Sequence, residues 1–92
     1  MTPERAETIA LQALGWLVAD DELCGTFLGA TGGTLDDMRQ KALDPAFLAS
    51  ILGFLTMNDD WIIGFCDTVQ LGYDQPLRAL YALPGAERVE WT

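Results

Sequence analysis

Asp44-Pro45-Ala46-Phe47-Leu48-Ala49-Ser50-Ile51-Leu52-Gly53-Phe54-Leu55-Thr56-Met57 is the stretch on which the fold turns. Apolar residues at 47, 48, 51, 52 and 55 keep helical rhythm, and Phe54 and Met57 widen that face until little polar surface is left. Asp44 can accept hydrogen bonds from the free N–H groups of a first turn. Pro45 suits the first helical position, where its missing N–H costs nothing. A helix so apolar on nearly all sides belongs inside a domain, and the spacing predicts the central helix of a small bundle.

Downstream, Asn58 caps a further helix with Asp59 and Asp60 on its first turn and Trp61 at its entry. Ile62, Phe65, Cys66 and Val69 form its inward stripe, and Gly72 is the expected C-terminal glycine. The segments 45–57 and 59–71 are thus expected to pair as a central helical hairpin. Pro76 opens the last helix, with Leu77, Leu80 and Leu83 inward and Tyr81 beside them, before Pro84-Gly85 stops it. In the tail, residues 86–92, Val89 and Trp91 alternate with charges. It could dock on the bundle, form an extended arm or stay mobile.

Upstream, Thr2-Pro3-Glu4 is a good helix opening. Ile9, Ala10, Ala13, Leu14 and Leu17 form one stripe, with Trp16 on its flank. Gly15 inside that helix costs roughly 1 kcal/mol against alanine, which a close helix crossing would explain. Asp20 or Asp21 restarts the chain as a second helix carrying Leu23, Cys24, Phe27 and Leu28, ended by Gly29 and Thr31-Gly32-Gly33. Capping explains the Asp20-Asp21-Glu22 trio without a metal, since adjacent ligands at a helix start point apart. Thr34-Leu35-Asp36-Asp37 has the spacing of a capping box with Asp in place of Glu. A short helix follows, with Leu35, Met38, Ala42 and Leu43 assigned inward. The expectation is an all-α, single-domain bundle of five to six short helices spanning residues 1–92.

Composition narrows the function classes. Ninety-two residues suit one core, and half of them are hydrophobic. Fourteen acidic against five basic residues leave a formal charge of −9, a handicap for binding nucleic acid or anionic lipid. No secretory pattern opens the chain and no apolar run is long enough to cross a bilayer, so a reducing cytoplasm is the expected compartment. Cys24 and Cys66 match no metal or CxxC spacing and occupy apolar helical positions.

Taken in order, these elements form a series. It runs from the Ala/Leu/Trp-rich first helix and Phe27-Leu28 through Thr31-Gly32 to Leu35-Asp36-Asp37-Met38-Arg39. Asp44-Pro45-Ala46-Phe47-Leu48 and Ile51-Leu52-Gly53-Phe54-Leu55 follow, and Asp60, Phe65-Cys66, Gly72, Pro76 and Leu83-Pro84-Gly85 complete it. The series resembles the small alphaproteobacterial proteins of the DUF3572 family, over roughly Ile9 to Gly85. The resemblance implies a short, cytoplasmic, helical bacterial protein and carries over no activity and no catalytic residue.

The chain has no histidine, so the usual neutral-pH base and metal ligand is missing. No glycine-rich loop leads into Gly-Lys-Ser/Thr. Neither catalytic, cofactor-binding nor metal-ligating residues are assigned, and no cofactor is expected. Trp16, Trp61, Tyr73, Tyr81 and Trp91 are the candidate interface, because aromatics beyond the core stripes are common interface anchors, and Phe54 and Met57 join them as the edge of the central helix that becomes an interface if exposed. The expected role is a non-catalytic protein–protein interaction module, with a protein partner or a second copy as its target. The alternative is a small enzyme or ligand-binding protein with a cleft near Cys24 or Asp60. A helix-turn-helix reading of the third and fourth helices is remote, because an apolar second helix is a poor reader of bases.

Overall fold

The computed structural model describes residues 1–83, so the tail and its candidate residue Trp91 lie outside the described residues. Six helices run α1 Pro3–Ala19, α2 Asp21–Thr31, α3 Leu35–Gln40, α4 Pro45–Leu55, α5 Asp59–Val69 and α6 Gln75–Ala82, with no strand among the described residues. The fold is all-α.

The starts of the first five helices follow the capping chemistry. The Thr2 hydroxyl accepts from the Arg5 N–H at 3.2 Å. Asp20 closes α1 and caps α2 at once, its carboxylate accepting from the Leu23 N–H at 3.0 Å. The capping box of α3 is complete: Asp37 N–H donates to the Thr34 hydroxyl and Thr34 N–H donates to the Asp37 carboxylate. Asp44 accepts from Ala46 N–H, and Asn58 accepts from both Asp60 and Trp61 N–H. At the start of α6, Asp74 makes no side-chain cap, and Pro76 falls one residue inside the helix instead of opening it.

Helix ends depart from expectation in two places. α4 stops at Leu55, two residues short of Met57, because Met57 and Asn58 N–H groups turn back to the Phe54 and Leu55 carbonyls. α2 closes on left-handed Gly32 (φ 74°) as expected, but at the end of α5 the left-handed residue is Gln70 (φ 59°), not Gly72. Gly72 serves a different need: a Cβ there would stand 2.9 Å from the Asp74 carboxylate.

One buried cluster joins all six helices. α4 supplies its densest part, with seven of eleven residues buried, as the opening stretch implied. The partner of that helix is different from the one expected. α4 and α5 turn by 113° at their junction and share only a small contact, whereas α1 packs broadly against both α6 and α4. Ala6, Ala10 and Ala13 on α1 and Ala79 on α6 are fully buried, and such small side chains allow helix axes to approach closely. The organising helix of the bundle is therefore α1, and 45–57 with 59–71 is a bent pair at its side.

Several inward assignments shift. Leu43 is 82% exposed and Leu35 47%; α3 is only six residues long and buries Met38 alone. On α6 the buried set is Pro76, Ala79, Leu80 and Leu83, while Leu77 is exposed. Leucines every three residues drift around a helix, whereas 76, 79, 80 and 83 keep one face. No single helix among the described residues is long and apolar enough to cross a membrane.

Gly15 is exposed and nothing lies within 4 Å of where its Cβ would stand, so no close crossing occurs there. The close approach is at Gly64 on α5, whose Cβ would meet the Trp16 ring at 3.2 Å. Gly15→Ala is expected to raise stability by up to about 1 kcal/mol through helix propensity. Gly64→Ala gains the same propensity but displaces the indole, so it is expected to fall short of that gain or reverse it. Urea midpoints of the two variants check the difference.

Candidate functional site

Trp16 and Trp61 are far apart in sequence and meet at one surface cleft. Trp16 stands near the end of α1, lies across Gly64 and makes an edge contact with the buried Phe65 ring (centroids 6.0 Å, 62°). Trp61, in the first turn of α5, stacks on Phe54 at 4.6 Å and 23°. Both indoles are half-buried, fixed from below by aromatic packing and open on their outer side.

The cleft between them has a volume of about 320 Å³. It is lined by the two half-buried tryptophans, the buried Leu23, and the exposed Thr26, Asp20, Glu22 and Asp60. These acids sit there because α2 and α5 both begin at this place, and acids are favoured in a first helical turn. Asp20 also caps α2, whereas Asn58 caps α5 and leaves Asp60 free of that duty. Only two ion pairs form among the described residues, Arg39 with Asp36 and Arg78 with Asp74, and neither is at the cleft. No basic residue among those described lines it. Each helix N-terminus contributes roughly half a positive charge, which three carboxylates outweigh.

The other candidate residues are dispersed. Phe54 is a correction to the interface assignment: it is 3% exposed, in edge contact with Phe27 and covered by Trp61, so it supports the surface without being part of it. Met57 is exposed at the α4–α5 turn and Tyr81 is exposed on α6. Tyr73 is exposed and its hydroxyl donates to the Asp67 carboxylate at 2.7 Å, which raises the tyrosine pKa from its ordinary value. None of these three lines the tryptophan cleft. Leu23, Glu22 and Thr26 were not singled out as surface candidates in the sequence; the only signal was their position in the first turns after Asp20.

The cysteines are packed as core. Cys24 lies 4.0 Å from the Met38 sulfur, and Cys66 points its thiol toward the Gly72 carbonyl at 3.6 Å. Burial raises the pKa of Cys24, with a further push from the Asp21 charge. Burial also raises that of Cys66, reinforced by Asp67 and Asp74. A thiol pushed upward is a poor nucleophile at neutral pH. Asp60 is exposed on the first turn of α5 and lines the tryptophan cleft, which neither cysteine does. No group of three or more Cys, Asp or Glu able to hold a metal converges among the described residues.

The raised thiols carry a pH dependence. Above about pH 8.5 unfolded cysteines lose protons while the folded ones retain theirs. The native state then binds more protons than the unfolded state, so stability falls as pH rises through that range. The expected result is a stability profile that declines above about pH 8.5 in the wild type. The decline should be shallower in a Cys24→Ala/Cys66→Ala double variant, as urea unfolding at stepped pH will show.

Searches of curated proteins and of solved structures found no match. A family model described as "Protein of unknown function (DUF3572)" matches residues 3–86, nearly the whole chain. It spans all six helices and the cleft between α1, α2 and α5, and the chain accordingly belongs to the DUF3572 family.

Proposed function

We propose that this domain is a non-catalytic protein–protein interaction module whose contact surface is the Trp16–Trp61 cleft. The observation that carries the reading is the convergence of two half-buried tryptophans, each braced by a core ring, at one concave and partly open place. Tryptophans held rigid in this way lose little side-chain entropy on contact, which is why they recur as binding hot spots. The buried thiols and the missing histidine argue against covalent or acid–base catalysis at the cleft. Two unpaired cysteines suit a reducing compartment, and we place the protein in the cytoplasm.

A photo-cross-linking side chain installed at Thr26, inside the cleft, tests this in the native cell. One discrete adduct with another protein is expected, lost in Trp61→Ala with the fold retained by circular dichroism. Loss of a hot-spot tryptophan costs binding about 2 kcal/mol or more, roughly thirtyfold in affinity. An adduct between two copies would move the reading to self-association, and no adduct at all would overturn it.

A further inference from the structure

Deepening that reading and resting on it, we infer that the cleft takes an arginine side chain presented by a basic segment of a partner protein. Two independent features of the site point the same way. The first is the pair of tryptophans, whose electron-rich faces attract a cation lying against them. The second is charge: Asp20, Glu22 and Asp60 line the same cavity, and none is in an ion pair with a described basic residue. An apolar side chain would satisfy the rings but offer nothing to the three carboxylates and crowd their hydration. An anion would be repelled by all three. A guanidinium satisfies both, because it is planar, weakly hydrated, able to stack on an indole, and carries five donors for carboxylate oxygens.

Arginine is favoured over lysine by the same features. Lysine is a compact, strongly hydrated point charge, and lying against an indole strips more of that hydration. The cleft, at about 320 Å³, has room for one guanidinium and its methylene stem with water to spare. The acids are also separable from folding. Asn58, not Asp60, caps α5, and Asp20, not Glu22, caps α2. Neutralising Glu22 and Asp60 therefore removes charge from the cleft and leaves both caps in place.

The test is a titration of isotope-labelled protein with acetyl-Gly-Arg-Gly-amide, read from the indole N–H resonances of Trp16 and Trp61. The arginine peptide is expected to shift both indoles saturably. Its neutral isostere, with citrulline for arginine, should bind about tenfold more weakly. The Glu22→Gln/Asp60→Asn variant should weaken the arginine peptide by at least about fivefold with the fold retained by circular dichroism. Equal shifts from arginine and citrulline peptides overturn the inference, as does a lysine peptide that matches arginine. So do shifts scattered over Asp36, Asp67 and other exposed acids with the indoles unmoved, the mark of diffuse charge attraction. If the peptide leaves the indoles unmoved while the cross-link from position 26 persists, the arginine occupant falls and the contact surface stands. If both fail, the cleft falls as a contact site.

Discussion

Phe27→Ala is expected to cost about 3–5 kcal/mol, the range for removing a fully buried ring from a packed core. A domain of this length has roughly 5–14 kcal/mol of stability in total, so the loss is a large fraction of it. The size of the effect follows from position. Phe27 is fully buried on α2 and makes edge-on contacts with Phe47 at 6.2 Å and Phe54 at 5.1 Å, both on α4. It thus links α2 to the most buried helix through two ring contacts. Phe54 in turn carries Trp61, so a cavity at Phe27 is expected to loosen the tryptophan stack and red-shift its fluorescence before global unfolding. Urea unfolding gives the first number and the fluorescence baseline the second. Phe47→Ala, a half-buried ring on the rim of the same group, serves as the comparison and should cost about half as much. A loss of under about 1 kcal/mol for Phe27→Ala would contradict the packing described.

Ala79→Phe is expected to destabilise by about 3 kcal/mol, at the upper end of overpacking effects. Ala79 is fully buried on α6, and the helix it meets most extensively, α1, presents the buried alanines Ala6, Ala10 and Ala13. A ring replacing this fully buried methyl must displace the helices packed on α6, of which α1 meets it most extensively. The variant separates two architectures cleanly. In a bundle centred on a hairpin of 45–57 and 59–71, α6 would be an outer helix and a larger residue there would be tolerated. With α1 as the organising helix, the same change acts on the broadest contact in the molecule. Thermal unfolding checks it: a domain of this size shifts by about 4–8 °C per kcal/mol, so a fall of more than ten degrees is expected. Tyr81→Ala, on the exposed side of the same helix, should change the melting temperature little.

Much of the helical framework was legible because its signals are local. Thr2, Asp20, Thr34, Asp44 and Asn58 each cap the helix that their position predicted, since a cap needs only its own side chain and the next three N–H groups. The burial of Leu48 to Leu55 was likewise legible, because a stretch apolar on all sides has nowhere else to go. The candidate site was legible by half. Trp16 and Trp61 stood out as aromatics off the core stripes, yet nothing in their spacing said that they share a cleft. Phe54 was misread for a related reason. On a helix apolar all round, periodicity does not distinguish the edge facing solvent from the edge lying under another ring, and here Trp61 covers it.

By itself, then, the sequence determined the starts of the first five helices, the all-α class, the interior status of α4 and the formal charge of −9. These follow from capping, hydrophobic periodicity and composition, each of which acts within a few residues or over the whole chain. The tertiary structure alone decided that α1 is the organising helix, that Gly64 and not Gly15 is the point of close approach, and that two tryptophans and three carboxylates share a cleft. Helix pairing depends on which small residues face each other across a seam, a relation between distant parts of the chain. Alanines on α1 and α6 are unremarkable in their own helices and become informative only once the two helices are seen packed broadly together with these alanines buried.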